Sequence, residues 1–243
     1  MSIRLDLGRL TPAQRQSRRR ILDISFGRRL SHLGSCLTAV DLIDAVYRVK
    51  RPDERFVLSN GHAGIALYVV LEKHGLLTQG QTERLHIHPD RNPRLGIDVS
   101  TGSLGQGLPI ALGMALADPT RNVYVLVSDG ECAEGSVWEA LRIAVDRDVK
   151  NLRIIVNANG WAAYAAVCPK RLSRRLRGFG VDLIRVDGHD TVGLRQALKR
   201  KTRRVAVIFA TTTAAQFPFL NGLSAHYYRM NEEDYRQAKE SLA

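Results

Sequence analysis

The sequence predicts an α/β protein built on a doubly wound, mostly parallel sheet with helices on both faces. Four short β-branched runs, 122–128, 152–158, 181–187 and 204–212, are bounded by turn residues and are expected to be strands. Their faces do not alternate between apolar and polar, as befits strands covered on both sides in a parallel sheet. Helical patterns fall between or before them, so the chain is expected to cross the sheet repeatedly with one hand.

In chain order, "CLTAVDLIDAVYRV" keeps Leu37, Val40, Ile43 or Asp44, and Tyr47 near one helical face. "GHAGIALYVVLEKHG" ends at a glycine, a common helix terminator. "LGQGLPIALGMALAD" is apolar nearly all round and predicts a buried helix. After the 122–128 strand, "SVWEALRIAVDRDV" presents Val137, Leu141, Ala144 or Val145, and Val149 at helical spacing. "TVGLRQALKRK" and the terminal "NEEDYRQAKESLA" complete the helices. No linker, repeat or low-complexity tract divides the 243 residues, so a single domain over 1–243 is expected.

Hydrophobic content of 44% with 25% charged residues is that of a globular protein. No run approaches the roughly 18–20 apolar residues of a membrane helix, and "MSIRLDLGRLTPAQRQSRRRILDISF" lacks an apolar signal core. A cytoplasmic protein with no membrane partner is therefore expected. The three cysteines, Cys36, Cys132 and Cys168, are too widely spaced for a disulfide framework or a zinc site. The net charge of +12 gathers at Arg18-Arg19-Arg20, Lys170 through Arg177 and Lys199 through Arg204. With only 6% aromatic residues, none interleaved with these runs, nucleic acid is disfavoured. Solvated faces, or an acidic partner or anionic ligand, explain the surplus better.

Chemistry is concentrated where two strands end. Asp129-Gly130 follows the 122–128 run, and Asn159-Gly160 follows the 152–158 run one crossover later. Ligands of doubly wound sheets gather at the carboxyl ends of strands, so both tips fall on the binding edge. A carboxylate, an amide oxygen and a backbone carbonyl form a hard-oxygen set suited to Mg2+ or Ca2+, with phosphate oxygens and water filling the remaining positions. Gly130 lets a diphosphate approach the backbone, and the helix start beyond it offers N–H donors. Taken singly, each dipeptide is an ordinary turn.

"SDGECAEGSVWEALRIAVDRDVKNLRIIVNANGW" resembles the thiamine-diphosphate signature of transketolases, a GDG turn followed some thirty residues later by Asn. "SHLGSCLTAVDLIDAVY", "FVLSNGHAGIALYVVLEKHG" and "HPDRNPRLGIDVSTGSLGQGLPIALGMALA" are similar to three further blocks of that family, in the same order. The likeness spans roughly residues 15–240 and corresponds to the N-terminal, diphosphate-binding half of a full-length transketolase.

The resemblance implies the thiamine-diphosphate-binding fold of the diphosphate type, with thiamine diphosphate and Mg2+ (or Ca2+) as cofactors. It implies Asp129, Asn159 and the Trp161 carbonyl as metal ligands. His62 and Gly130 would meet the diphosphate, and Gly102 and Leu104 would lie along the aminopyrimidine. His62, taken alone, reads better as a buried histidine satisfying a helix start. His32, His88 and His226 match histidines of the substrate channel. His88 would contact the donor's terminal hydroxyl, and His32 and His226 would assist proton transfer. Glu134 matches a carboxylate at the subunit interface; a first-turn glutamate favouring the helix dipole is the alternative. His189 in "VDGHD" is expected to be structural.

The implied reaction transfers a two-carbon ketol unit from a ketose or ketose phosphate to an aldehyde. The family's activating glutamate and most of its sugar-phosphate contacts belong to a second, pyrimidine-binding domain. That domain is expected on a separate chain, with an α2β2 heterotetramer the simplest closed assembly. Several residues depart from the family pattern. Ser128 stands for the first glycine of GDG, Asn157 for a common aspartate, 211–219 for a glycine-rich lysine-containing stretch, and "NGWAAY" lacks a usual glutamine. They raise the expectation of a specialised biosynthetic transketolase with an unusual ketose or acyl donor. A 2-oxoacid dehydrogenase or decarboxylase component and a non-catalytic relative are the alternatives.

Overall fold

A computed structural model describes residues 5–213, 215–220, 222 and 226–243. Ala214, within the departing 211–219 stretch, lies outside the described residues. Five strands form one parallel sheet: β1 (Arg55–Leu58), β2 (Val123–Ser128), β3 (Leu152–Ala158), β4 (Asp182–Asp187) and β5 (Ala206–Thr211). Their order is β1-β2-β3-β5-β4. The four expected strands are present within a residue or two of their predicted ends.

Helices cover both faces. Phe56, Leu58, Tyr124, Leu126, Ile155 and Ile208 face a core shared with α1 (Pro12–Gly27), α2 (Leu33–Tyr47), α3 (Gly64–Lys73) and α8 (Thr191–Lys199). Val125, Val127, Ile154, Val156 and Val207 face the opposite core, shared with α5 (Gly107–Ala117), α6 (Gly135–Asp146) and α7 (Pro169–Gly178). Successive strand residues thus bury both their odd and their even side chains, which explains the unbroken apolar runs. The chain reverses direction across the sheet between β4 and β5. Its crossover helix α8 accordingly lies on the other face from α6 and α7, as a fixed crossover hand demands. A single-turn α4 (Gln79–Thr82) and a terminal α9 (Glu232–Ser241) complete the helices among the described residues. None of these helices is long and apolar enough to cross a membrane.

Three elements escaped the sequence reading. β1 is only four residues long and begins with an arginine. α1 is arginine-rich, but Thr11 caps it in a reciprocal box with Gln14, and Pro12 opens it. α7 opens on Pro169 and buries Leu172 and Leu176, one turn apart, beneath its basic face. The expectation that basic runs are solvated fails at one residue. Arg18 is fully buried, its guanidinium paired with Asp41 at 2.6 Å and donating to Gln216 at 2.8 Å.

Candidate active site

The register Ser128↔Asn157 brings the ends of β2 and β3 side by side, and the Asp129 N–H extends the ladder to the Asn157 carbonyl at 3.0 Å. The two turns therefore meet. Asp129 Oδ2 accepts the Gly160 N–H at 2.6 Å and Oδ1 accepts the Gly130 N–H at 2.9 Å. Asn159 Oδ1 accepts the Trp161 N–H at 2.9 Å, an Asx turn that fixes the amide oxygen at the tip. Gly160 holds φ +86°, a conformation that favours glycine. A Cβ on Gly130 would stand 2.8 Å from Ala162 Cα and 3.3 Å from the Trp161 carbonyl oxygen. Only glycine lets these two loops come so close.

Asp129 is 2% exposed, and burial pushes its carboxyl up to about 7 despite the backbone donors around it. No cationic side chain among the described residues pairs with it. The group present is thus an under-compensated buried carboxylate beside an amide oxygen and a peptide carbonyl, a donor set that fits a hard divalent cation. No group of three or more His, Cys, Asp or Glu side chains among the described residues is placed to hold a metal, so this single-carboxylate set stands alone.

A cavity of about 260 Å3 opens above this corner. Gly130, Asn159 and Trp161 line one side of it, and Gly102 and Leu104 another. His32, His62, His88 and His226 line the rest. The His32 ring centroid lies 4.6 Å from that of His226 and 5.2 Å from that of His62, with His62 and His226 5.5 Å apart. His88 packs on Gly102, whose hypothetical Cβ would lie 3.0 Å from its ring. Burial, with mutual repulsion among the imidazoles, lowers His32 to about 4 and His62 to about 3. Burial lowers His226 as well. Neutral imidazoles at neutral pH can each donate from one nitrogen and accept at the other.

Local backbone sets His32 in place. It is the residue before α2, in the left-handed conformation at φ +64°, and its N–H donates to the His226 carbonyl at 3.1 Å. Its Nδ1 is buried with no hydrogen-bond partner among the described residues. A non-glycine residue held at positive φ with an unanswered polar atom is the kind of strain that accompanies binding sites.

Glu134 lies apart from the cavity, exposed at the start of α6 beside Gly105, and makes no capping bond. His189 is in a different cluster, its Nδ1 2.9 Å from Asp41 and its Nε2 accepting the Thr213 N–H at 3.4 Å.

Sequence reasoning missed Glu131. It is fully buried, lines the cavity, and accepts from the Ser59 hydroxyl at 2.5 Å and the Gly105 N–H at 2.8 Å. It also closes a capping box with Ser128. The Glu131 N–H donates to Ser128 Oγ at 3.1 Å, and the Ser128 N–H donates to Glu131 Oε2 at 3.3 Å. One carboxylate therefore ties the loop after β1, the loop before α5 and the turn after β2. The Ser128 hydroxyl, which stands where the family pattern has a glycine, is thereby engaged in the turn. "SDGE" carries the S-x-x-E capping signature that could have revealed it.

Residues 32–243 match the family model described as transketolase, thiamine diphosphate binding domain. The chain is 30% identical over 243 residues to a 6-deoxy-6-sulfo-D-fructose transketolase subunit, SqwG, of Clostridium sp. (strain MSTE9), covering 88% of each protein. It is 35% identical over 216 residues to transketolase-like protein 2 of Bos taurus, covering 77% of this chain and 34% of that one. The chain thus spans about a third of the length of the bovine relative. In fold it is similar to a transketolase from Campylobacter jejuni, with TM-score 0.81 at 24% identity, over 99% of this chain and 43% of that one. With this domain matched over residues 32–243, the chain belongs to the transketolase thiamine-diphosphate-binding-domain family.

Proposed function

We propose that this chain is the diphosphate-binding subunit of a two-chain transketolase, moving a two-carbon ketol unit from a ketose or ketose phosphate to an aldehyde. The convergence of the Asp129 and Asn159 turns beneath three neighbouring imidazoles in one cavity supports this reading most strongly. Asp129, Asn159 and the Trp161 carbonyl would hold Mg2+ (or Ca2+), with His62 and Gly130 against the diphosphate and Gly102 and Leu104 along the aminopyrimidine. Bound thiamine diphosphate would supply the nucleophilic carbon that such a transfer needs. His32 and His226, neutral at working pH, would hold and move a proton at the substrate's carbonyl and hydroxyl oxygens. His88 would orient the donor's terminal hydroxyl.

The partner would carry the pyrimidine-binding domain. Support comes from the Clostridium relative, which matches this chain over 88% of both lengths and is itself named as a subunit. An α2β2 assembly is part of the proposal, and the exposed Glu134 at the start of α6 is available for its interface. A cytoplasmic setting agrees with three free thiols, two buried and one exposed.

The test is to assay the complex isolated from its native host with a ketose phosphate plus an aldehyde acceptor, and separately with a 2-oxoacid. Ketol transfer with no 2-oxoacid turnover is the expected result. Turnover of the 2-oxoacid alone would move the chain to the decarboxylase class, and no thiamine-dependent turnover of either would favour a non-catalytic relative.

A further inference from the structure

We propose that Asn60 is a ligand-contacting residue of this cavity, hydrogen-bonding a group that both donates and accepts; this rests on the functional reading above. Asn60 is fully buried, yet it lines the cavity. Neither its Oδ1 nor its Nδ2 has a hydrogen-bond partner among the described residues. Interchanging the two atoms changes nothing, because both are unanswered. A buried amide in this state destabilises the fold, and native proteins keep few of them without a use.

Local structure offers Asn60 an ordinary partner that it does not take. It precedes the short 3-10 turn Gly61–Ala63, where an asparagine side chain usually caps the N–H groups that follow, and it makes no such bond. Its neighbours are satisfied. Ser59 donates to Glu131, and Asn157 donates to Thr38 at 2.9 Å and accepts from Thr212 at 2.5 Å. β1 pairs with β2 through Leu58↔Leu126, and the Ser59 N–H continues to the Leu126 carbonyl. Asn60 therefore stands level with Ser128 on the carboxyl edge, where both line the cavity.

The chemistry of the occupant follows from the two open atoms. Phosphate oxygens only accept, so a diphosphate could answer Nδ2 and leave Oδ1 unpaired. A hydroxyl, or an amino group beside a ring nitrogen, answers both. The first belongs to a polyol substrate and the second to the cofactor's aminopyrimidine.

The experiment uses the complex with its partner subunit and the variants Asn60→Ala and Asn60→Leu. Without ligand, both should unfold at the wild-type temperature or a few degrees above it, since an uncompensated polar group is removed. Calorimetry with thiamine diphosphate and Mg2+, and steady-state kinetics with a ketose phosphate, then locate the contact. A cofactor Kd raised by about 5–50-fold assigns it to the aminopyrimidine. An unchanged Kd with a KM raised by a similar factor assigns it to a substrate hydroxyl. Kd and KM both at wild-type values, or ligand-free variants that unfold well below the wild type, would overturn the proposal. Wild-type protein that binds no thiamine diphosphate would sink the functional reading and this one with it. Wild-type binding matched by both variants would sink this one alone.

Discussion

Two buried polar clusters share the carboxyl edge of this sheet and behave in opposite ways. In the first, Arg18 donates to both oxygens of Asp41 and to Gln216, and His189 adds a bond to the same carboxylate. Burial pushes Asp41 up, but the guanidinium and the imidazole outweigh it and hold the carboxyl below its usual range. In the second, burial prevails. Asp129 is pushed up to about 7, His32 and His62 down to about 4 and 3, and polar atoms of His32 and Asn60 are unanswered. Equal burial with unequal compensation separates scaffold from site. Where the described residues supply every partner, the cluster holds the fold; where they do not, the cluster is open to a ligand.

The largest expected effect lies in the compensated cluster. Arg18→Met removes the guanidinium from Asp41, leaves the His189 imidazole to face the buried carboxylate, and should cost about 3–5 kcal/mol in urea unfolding. The folded fraction should keep its cofactor affinity. Glu131 sharpens the comparison because it stands inside the cavity with three donors on its carboxylate, yet burial still pushes that carboxyl up. Glu131→Ala, which unpairs the Ser59 hydroxyl and two backbone N–H groups, should cost about 2–3 kcal/mol in stability, and Glu131→Gln less. A binding defect with no stability change would break the distinction.

Acid pH probes the uncompensated imidazoles. Their folded-state values lie below the ordinary histidine range, so the unfolded chain takes up protons first as pH falls. Stability from these groups is full above about 6.5 and is lost as pH falls towards 3–4, at up to about 1.4 kcal/mol per pH unit per group. His62→Gln should flatten that slope in pH-resolved denaturation. The smallest effect is expected of Ser128→Gly. Loss of the cap to Glu131 should cost a few tenths of a kcal/mol with no loss of cofactor affinity.

Much of this was legible because function and periodicity coincide at β2 and β3. A β-branched run ending in Asp-Gly and another ending in Asn-Gly fix both the strand ends and the polar tips, and three of the four cavity histidines, His32, His62 and His88, sit in recognisable blocks. What the sequence hid depends on partners distant in the chain. Arg18 reads as one of three surface arginines until Asp41, 23 residues away, and Gln216, 198 away, close around it. Glu131 reads as an ordinary turn residue until Ser59 and Gly105 reach it from two other loops. Asn60 reads as part of a helix entry, and only three-dimensional placement reveals that nothing among the described residues answers it. α1 was missed for a plainer reason: its arginines mask a short apolar stripe of Ile21, Leu22 and Ile24.

The most direct test is calorimetric titration of thiamine diphosphate with Mg2+ into the complex of this chain and its partner subunit, comparing wild type, Asp129→Ala and His189→Gln. Saturable binding should appear in the wild type and in His189→Gln. It should vanish in Asp129→Ala, whose unfolding stays cooperative. Wild-type affinity in folded Asp129→Ala, or abolished binding in folded His189→Gln, would contradict the division between the two clusters.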